Sequence, residues 1–319
     1  MIAAAKAERV ALKWSGLVLL AAAWEALART RVFDPQFFPS FTETVVGVGK
    51  MLASGLLFTS IMVSLWRASV GLLIAIAAAI PLGLFFGRRS KDAADCFNPF
   101  FRMLAQVNPF SLMPIFILFF GIGEAMKIAV VAWVCLWPVF FNTLEGAQHI
   151  DPAVIKLGRA TGTPPLTMLR KIILPGASAS IFTGLRLGLE MSFFMLIAAE
   201  MVGATYGIGW LVHNSSMNWQ FVRMYAAFLC TVALGWGMNA FLKRVHRRVF
   251  FWQEDLPLGI AAAGKKKLPF AKIDFALTGA LCFLIFVLGT WQIRVAQRNL
   301  QDFTRVRHEH RPIQAYREE

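Results

Sequence analysis

EGAQHIDPAVIKLGRATGTPPLTMLRKIILP, residues 145–175, decides how this chain is read. The stretch is too long for a tight turn between two apolar blocks and is dense in helix punctuation. Asp151 before Pro152 is an N-cap followed by proline at the first helical position, and Gly162 can supply a left-handed stop. Thr163 then caps a second short helix opening at Pro164 and Pro165. That helix carries Leu166, Leu169, Ile172 and Ile173 on one side, with Thr167, Arg170 and Lys171 on the other, and Pro175 ends it. A helix, a glycine turn and a second helix beside a membrane form either a docking surface for a partner or an interfacial pair resting on lipid headgroups.

The text on both sides of this loop is apolar in blocks. Of 319 residues, 57% are hydrophobic and 16% charged, against roughly 25% charged in an average soluble domain. Seven segments approach the roughly 20 apolar residues that a bilayer core asks for: 14–28, 60–87, 103–120, 128–144, 179–202, 225–242 and 274–293. The expected fold is therefore an all-α membrane protein. The formal charge of +14 would suggest nucleic acid in a soluble protein, but the basic residues cluster beside apolar blocks, so no nucleic-acid partner is expected and membrane lipid is.

Charge placement orients the chain. With a cytoplasmic N-terminus, the inside loops of the first six segments hold nineteen Lys and Arg residues, against five outside: Arg29, Arg31, Lys50, Lys127 and Arg223. Arg67 and Arg186 fall within spans. Six more basic residues follow residue 293, so a crossing by the seventh segment would put a basic tail outside, against the rule's tendency. No small-residue cleavage site follows the first apolar run, which reads as a retained helix. Cys96, Cys135, Cys230 and Cys282 have no short-range pairing and read as small apolar residues.

The order Glu145, Asp151-Pro152, Arg159, Gly162 and Ile172-Ile173-Leu174-Pro175 resembles the coupling loop of ABC-importer permeases. Ser64-Leu65-Trp66-Arg67, Ile80-Pro81-Leu82-Gly83, Phe120-Gly121-Ile122-Gly123, Gly184-Leu185-Arg186 and Ala199-Glu200-Met201 are similar to the nitrate, sulfonate, taurine and bicarbonate branch, over residues 30 to 252. The resemblance implies a six-helix type I permease core that works as a dimer with a second copy or a paralogue. It also implies two cytoplasmic ATPase subunits, an extracytoplasmic binding protein, and a small anion as cargo in the inner membrane. ATP and magnesium would be bound by the partner, with no cofactor, metal or catalytic residue in this chain. On this reading residues 1–252 are the permease domain, with its core at about 60–245. Residues 253–319 are an added basic linker, a seventh span and a polar tail.

The coupling residues implied are Asp151, Lys156, Gly158, Arg159, Gly162, Pro165, Leu169 and Pro175. The family's Glu-Ala-Ala-Arg run stands here as Lys156-Leu157-Gly158-Arg159, an ammonium in place of a carboxylate, and a charge reversal at a docking surface changes which partner fits.

Charges inside spans are costly unless paired or wet, which makes Arg67, Arg186, Glu190 and Glu200 pathway candidates. Arg186 and Glu190 share a helical face, as a structural pair or as pathway lining. Arg67 could attract an anion, although packing or snorkelling is the commoner use of such an arginine. Glu200 is open between the pathway, a neighbouring helix and the interface. A secondary transporter using Arg186, Glu190 and Glu200 as a relay, and a non-transporting scaffold, are the competing functions.

Gly259 to Lys266 has P-loop spacing, but Lys266 replaces the magnesium-holding hydroxyl and no strand precedes it. Glu25 reads as a snorkelling group, and His308 and His310 lack a third ligand. The loop from Tyr206 to Gln220 reads as an aromatic belt at the outer interface, with docking of a binding protein as the second reading.

Overall fold

Proline and glycine set the breaks between helices in this chain. The computed structural model describes residues 2–88, 91–249, 287 and 289–291, and among the described residues there is no strand. Helix α1 (Ile2–Arg29) carries the first apolar run, and α2 (Phe41–Ala53) starts at a capping box in which Ser40 Oγ accepts from the Glu43 amide. Three long helices, α3 (Leu56–Gly87), α6 (Glu124–Gln148) and α9 (Leu174–Met201), form the core. Between them lie α4 (Lys91–Ala105), α5 (Pro109–Phe120), α7 (Pro152–Ala160) and α8 (Pro165–Met168), and α10 (Ile208–Met217) and α11 (Phe221–Val249) follow.

Close approach of these helices rests on small residues, as in other membrane bundles. A Cβ built on Gly83 of α3 would lie 2.7 Å from Thr143 Cβ of α6, and one on Gly184 of α9 would lie 2.7 Å from the Pro138 carbonyl oxygen. The pairs Gly83 with Thr143 and Gly87 with Ala147 run in one sense, so α3 and α6 are parallel. Gly146 against Ser180 and Gly188 against Cys135 run in the opposite sense, so α9 is antiparallel to both. One end of the bundle therefore carries the 145–175 segment, and the other carries the start of α6 and the end of α9.

Among the described residues, four helices or continuous helical stretches are long and apolar enough to cross a bilayer: Leu56–Gly87, Glu124–Gln148, Pro165–Met201 and Phe221–His246. The expected straight span 103–120 is instead a bent pair, Cys96–Ala105 and Pro109–Phe120, at 82° to each other. Asn108 is held extended before Pro109, and its side chain accepts from the Phe110 amide at 2.9 Å, which starts a new helix in a new direction.

Pro175 does not end a helix either. Residues Leu169–Ile173 form a π turn that leads without a break into α9, the Leu174 amide donating to the Leu169 carbonyl. The wider turn takes up the missing donor and ring bulk of Pro175. The cap of α8 falls on Pro164, which is extended ahead of Pro165, and not on Thr163, whose hydroxyl pairs with Thr161 Oγ1 at 3.0 Å. The predicted loop from Tyr206 to Gln220 is mostly helix α10, because its glycines lie before and within the first turn and leave the rest of the sequence helical. The seventh segment, 274–293, lies outside the described residues except for 287 and 289–291, as do His308 and His310.

Candidate functional site

The bundle carries chemistry at both ends. At the first end, Asp151 caps α7, its Oδ1 accepting from the Ala153 amide at 2.8 Å. Gly162 follows at φ +66°, a left-handed conformation that reverses the chain toward α8, and the Gly162 amide donates to Arg159 and that of Thr163 to Gly158. Gly158 is buried because Met168 and Ile172 press on it: a Cβ there would lie 3.1 Å from Met168 Cε. Met168 and Ile173 join Leu84 of α3 and Ala147 of α6 in one apolar cluster, flanked by Ile80, Ile150, Ile155 and Leu169.

The helix pair is thus bolted to the ends of α3 and α6 on one side. The other side stays open. Leu157 and Leu166 are 65% and 61% exposed, and Lys156, Arg159, Arg170 and Lys171 of the same segment are exposed as well. Pro165 and Pro175 are also exposed, while Leu169 is half-buried.

At the opposite end four charges meet. Arg67 of α3 donates from Nε and Nη2 to the two carboxylate oxygens of Glu124, at 2.6 and 2.7 Å, as a bidentate fork. Its Nη1 donates to Glu200 Oε1 at 2.6 Å and to the Tyr206 carbonyl at 2.8 Å. Glu200 also accepts from Ser64 Oγ and, through Oε2 at 2.9 Å, from the Gly209 amide, while the Ile208 amide donates to Ser64 Oγ. Lys127 sits one turn along α6 and donates to Glu124 at 3.2 Å. Arg67 and Glu200 are 1% and 0% exposed. The four formal charges cancel, and α3, α6, α9 and the first turn of α10 share one hydrogen-bonded knot.

Of the pathway candidates, the structure therefore brings Arg67 and Glu200 together and away from any open surface of the chain. Arg186 and Glu190 pair separately on α9 at 3.1 Å, with about a third of each side chain exposed. Lys127, counted above as an outside loop charge, lies in the first turn of α6 and is buried. Glu25 pairs with Arg29 at 2.8 Å and accepts from the Thr42 amide, which ties α1 to the start of α2.

Sequence reading missed Glu124, Lys127 and Ser64 as partners of this knot. The available signal was the i, i+3 pair of opposite charges directly after Gly123.

The family model of the binding-protein-dependent transport system inner membrane component matches residues 79–251. The chain belongs to this family. It is 32% identical over 222 residues to the putative aliphatic sulfonates transport permease SsuC of Escherichia coli, covering 70% of this chain and 84% of that protein. It is 27% identical to the taurine transport permease TauC of the same organism, over 78% of this chain and 92% of that one.

In fold it is similar to the structure described as inward-facing conformations of the MetNI methionine ABC transporter. The TM-score is 0.54 at 17% identity, with coverage of 61% of this chain and 96% of the other. The chain is accordingly a multi-pass inner-membrane permease subunit of an ATP-driven importer, not an enzyme. Its partners are an ATPase and a substrate-binding protein.

Proposed function

We propose that this permease imports a small anion of the sulfonate or oxyanion class, with taurine, an alkanesulfonate or nitrate as cargo. Its relatives' names support sulfonate and taurine, and the sequence resemblance adds nitrate.

The observation that carries the coupling role is the helix pair α7 and α8. Its inner side is fixed to α3 and α6, and its outer side presents Leu157 and Leu166 along with exposed Lys156, Arg159, Arg170 and Lys171 of the same segment. A free apolar patch with basic residues in the same segment fits a groove whose edges are acidic. Two ATPase subunits dock there, one on each of two permease chains, and Asp151, Gly158, Gly162, Pro165 and Pro175 hold the pair in shape. Lys156 selects an ATPase that carries a carboxylate opposite it.

The second permease chain covers the α9 face that holds Arg186 and Glu190. A part-exposed ion pair in the middle of a span is unfavourable against lipid, and that face, with Met191 and Phe194 beside it, lines the pathway between the two chains. The excess of basic loop residues puts the α7–α8 end and the N-terminus in the cytoplasm. A secondary-transporter relay through Glu200 is disfavoured by its burial in the neutral knot with Arg67.

The test is purification of the tagged full chain with its partners, reconstitution with the binding protein, and uptake of labelled taurine, alkanesulfonate and nitrate. Uptake is expected to require ATP and to fall at least tenfold in Arg159→Glu at unchanged membrane level, with the ATPase lost from the purified complex. Uptake without an ATPase, or unchanged coupling in Arg159→Glu, overturns the reading.

A further inference from the structure

Helix α3 ends beside the α7–α8 pair, and α6, parallel to it, begins at the opposite end of the bundle. The bent pair α4 and α5 between them therefore carries the chain across once, and it does so through a break. Gln106, Val107 and Asn108 lie outside any helix, and all three are exposed.

Contacts on either side fix the depth of that break. Arg102, near the end of α4, stands over the Phe141 ring of α6 at 5.4 Å. Phe116 of α5 meets Trp133 of α6 edge-on at 6.5 Å. Trp137 lies between these contacts, 5.2 Å from Trp133 and 6.4 Å from Phe141, so the break is level with it. At 1.5 Å per residue Trp137 is about 20 Å from the start of α6 and about 16 Å from its end. That is the middle of a span.

Open backbone at this depth has two permitted surroundings. Hydrocarbon satisfies no N–H or C=O, so irregular backbone inside a span is either buried by protein or wetted by a water-filled cavity. The groups beside the break favour water. Arg102 is exposed, and its Nε donates to Asn98 Oδ1 at 3.0 Å. Trp137 is nine-tenths buried, and neither its indole N–H nor that of Trp133 has a partner among the described residues.

Helix α9 puts the break on the face already assigned to the pathway. Gly188 packs on Cys135 and Gly184 on Pro138, so Arg186 is level with Trp137. Met113 of α5 and Met195 of α9 share one apolar cluster. One and two turns before Met195 on the same stripe, Met191 and Leu187 are 55% and 39% exposed. The break and the Arg186–Glu190 pair border the same open strip of α9.

We infer that the break is wet and forms an anion subsite of the transport path, held by Arg102 and Gln106 above the open indole donors of Trp133 and Trp137. Its ligand is a compact oxyanion, a sulfonate or nitrate, whose oxygens accept from guanidinium, amide and indole N–H groups. The half-helix α5 adds the positive end of its dipole. The inference rests on the importer reading above and gives that reading a place in mid-membrane where the cargo is held.

The experiment uses the full chain with its partners in proteoliposomes, with Cys96, Cys135, Cys230 and Cys282 replaced by alanine and Val107→Cys introduced. Two methanethiosulfonate reagents, one ending in a sulfonate and one in a quaternary ammonium, are timed on it. Both are expected to react, because the thiolate they need forms only in water. Relative to a free thiol, the anionic reagent is expected to be favoured by about tenfold. Arg102→Gln is expected to abolish the preference and Arg102→Lys to keep it. Taurine, an alkanesulfonate or nitrate is expected to slow the anionic reagent.

No reaction, with or without ATP and the binding protein, puts the break in a dry interface and overturns the inference. A preference that survives Arg102→Gln overturns it too. A preference that depends on Arg102 without protection by any of the three ligands supports the anion subsite and overturns the cargo proposed above.

Discussion

Removing Arg67 alone and removing it together with Glu200 are expected to give opposite lessons about the ion knot. Arg67→Met deletes four hydrogen bonds of 2.6–2.8 Å and leaves Glu200, at 0% exposure, with Ser64 Oγ and the Gly209 amide as its remaining donors. Lys127 then faces two carboxylates and the site holds one uncompensated negative charge. Breaking a buried pair from one side costs about 3–5 kcal/mol. For a domain of this size that is a fall in the melting midpoint of roughly 6–20 °C.

Arg67→Met with Glu200→Met leaves the Glu124–Lys127 pair intact at 3.2 Å and the site neutral again. The double variant is therefore expected to lose less than the sum of the singles by 2 kcal/mol or more, on the order of what replacing a buried ion pair by apolar side chains recovers. The assay is thermal denaturation in mild detergent followed by size-exclusion chromatography of the tagged chain. Strict additivity refutes the reasoning, as does a loss of less than about 0.5 kcal/mol for Arg67→Met, the range of an ordinary surface change.

Two further outcomes follow from single backbone positions. Gly207 sits at φ +129°, and a Cβ there would lie 2.5 Å from the Glu200 carboxyl carbon, so Gly207→Ala is expected to reduce the folded fraction as severely as Arg67→Met in the same assay; an unchanged midpoint would show that α10 is not held by the knot. Pro175→Ala restores a backbone donor beside the π turn and lets it tighten toward ordinary α geometry, which rotates α8 against α9. Membrane level is expected to stay at the parent's value while uptake falls several-fold, and uptake equal to the parent's would show that the π turn has no part in coupling.

What the sequence disclosed and what it withheld divide along physical lines. The α7–α8 pair was legible because its determinants are local: Asp151 before Pro152 and a glycine at 162 act within one or two turns of themselves. The apolar spans were legible as blocks for the same reason. The bend at Gln106–Asn108 was obscured because flanking apolar residues read continuously through it, although Asn108-Pro109 is itself a helix start. Pro175 misled in the opposite direction. A proline stops a helix in isolation, yet the π turn Leu169–Ile173 just before it carries it through, and that depends on how α8 is held against α3 and α6. The ion knot was half legible: Arg67 and Glu200 stand out as charges in spans, but their pairing spans 133 residues and no spacing rule reaches that far.

The two ends of the bundle are joined by one stretch of continuous helix, and this decides how motion can travel. From Pro165 to Met201 the backbone runs without a break, through the π turn and then α9; α9 alone spans about 42 Å at 1.5 Å per residue. At its near end, Met168 and Ile173 tie it into the apolar cluster beneath the α7–α8 pair. At its far end, Glu200 is bound to Arg67 of α3 and, through the Gly209 amide, to the first turn of α10. Packed helices and charge-assisted bonds of this kind move as bodies and do not stretch. A displacement imposed on α8 therefore either pivots at the π turn, where the helical register changes, or carries α9, α3, α6 and α10 together. The knot makes the second outcome the cheaper one at the far end, because α10 cannot lag behind α9 without exposing a buried carboxylate. On the docking proposed above, an ATPase pulling on Leu157 and Leu166 would move the opposite mouth of its own permease chain as one piece. On the same proposal, the sliding surface of the transport cycle would be the α9 face that bears Arg186 and Glu190.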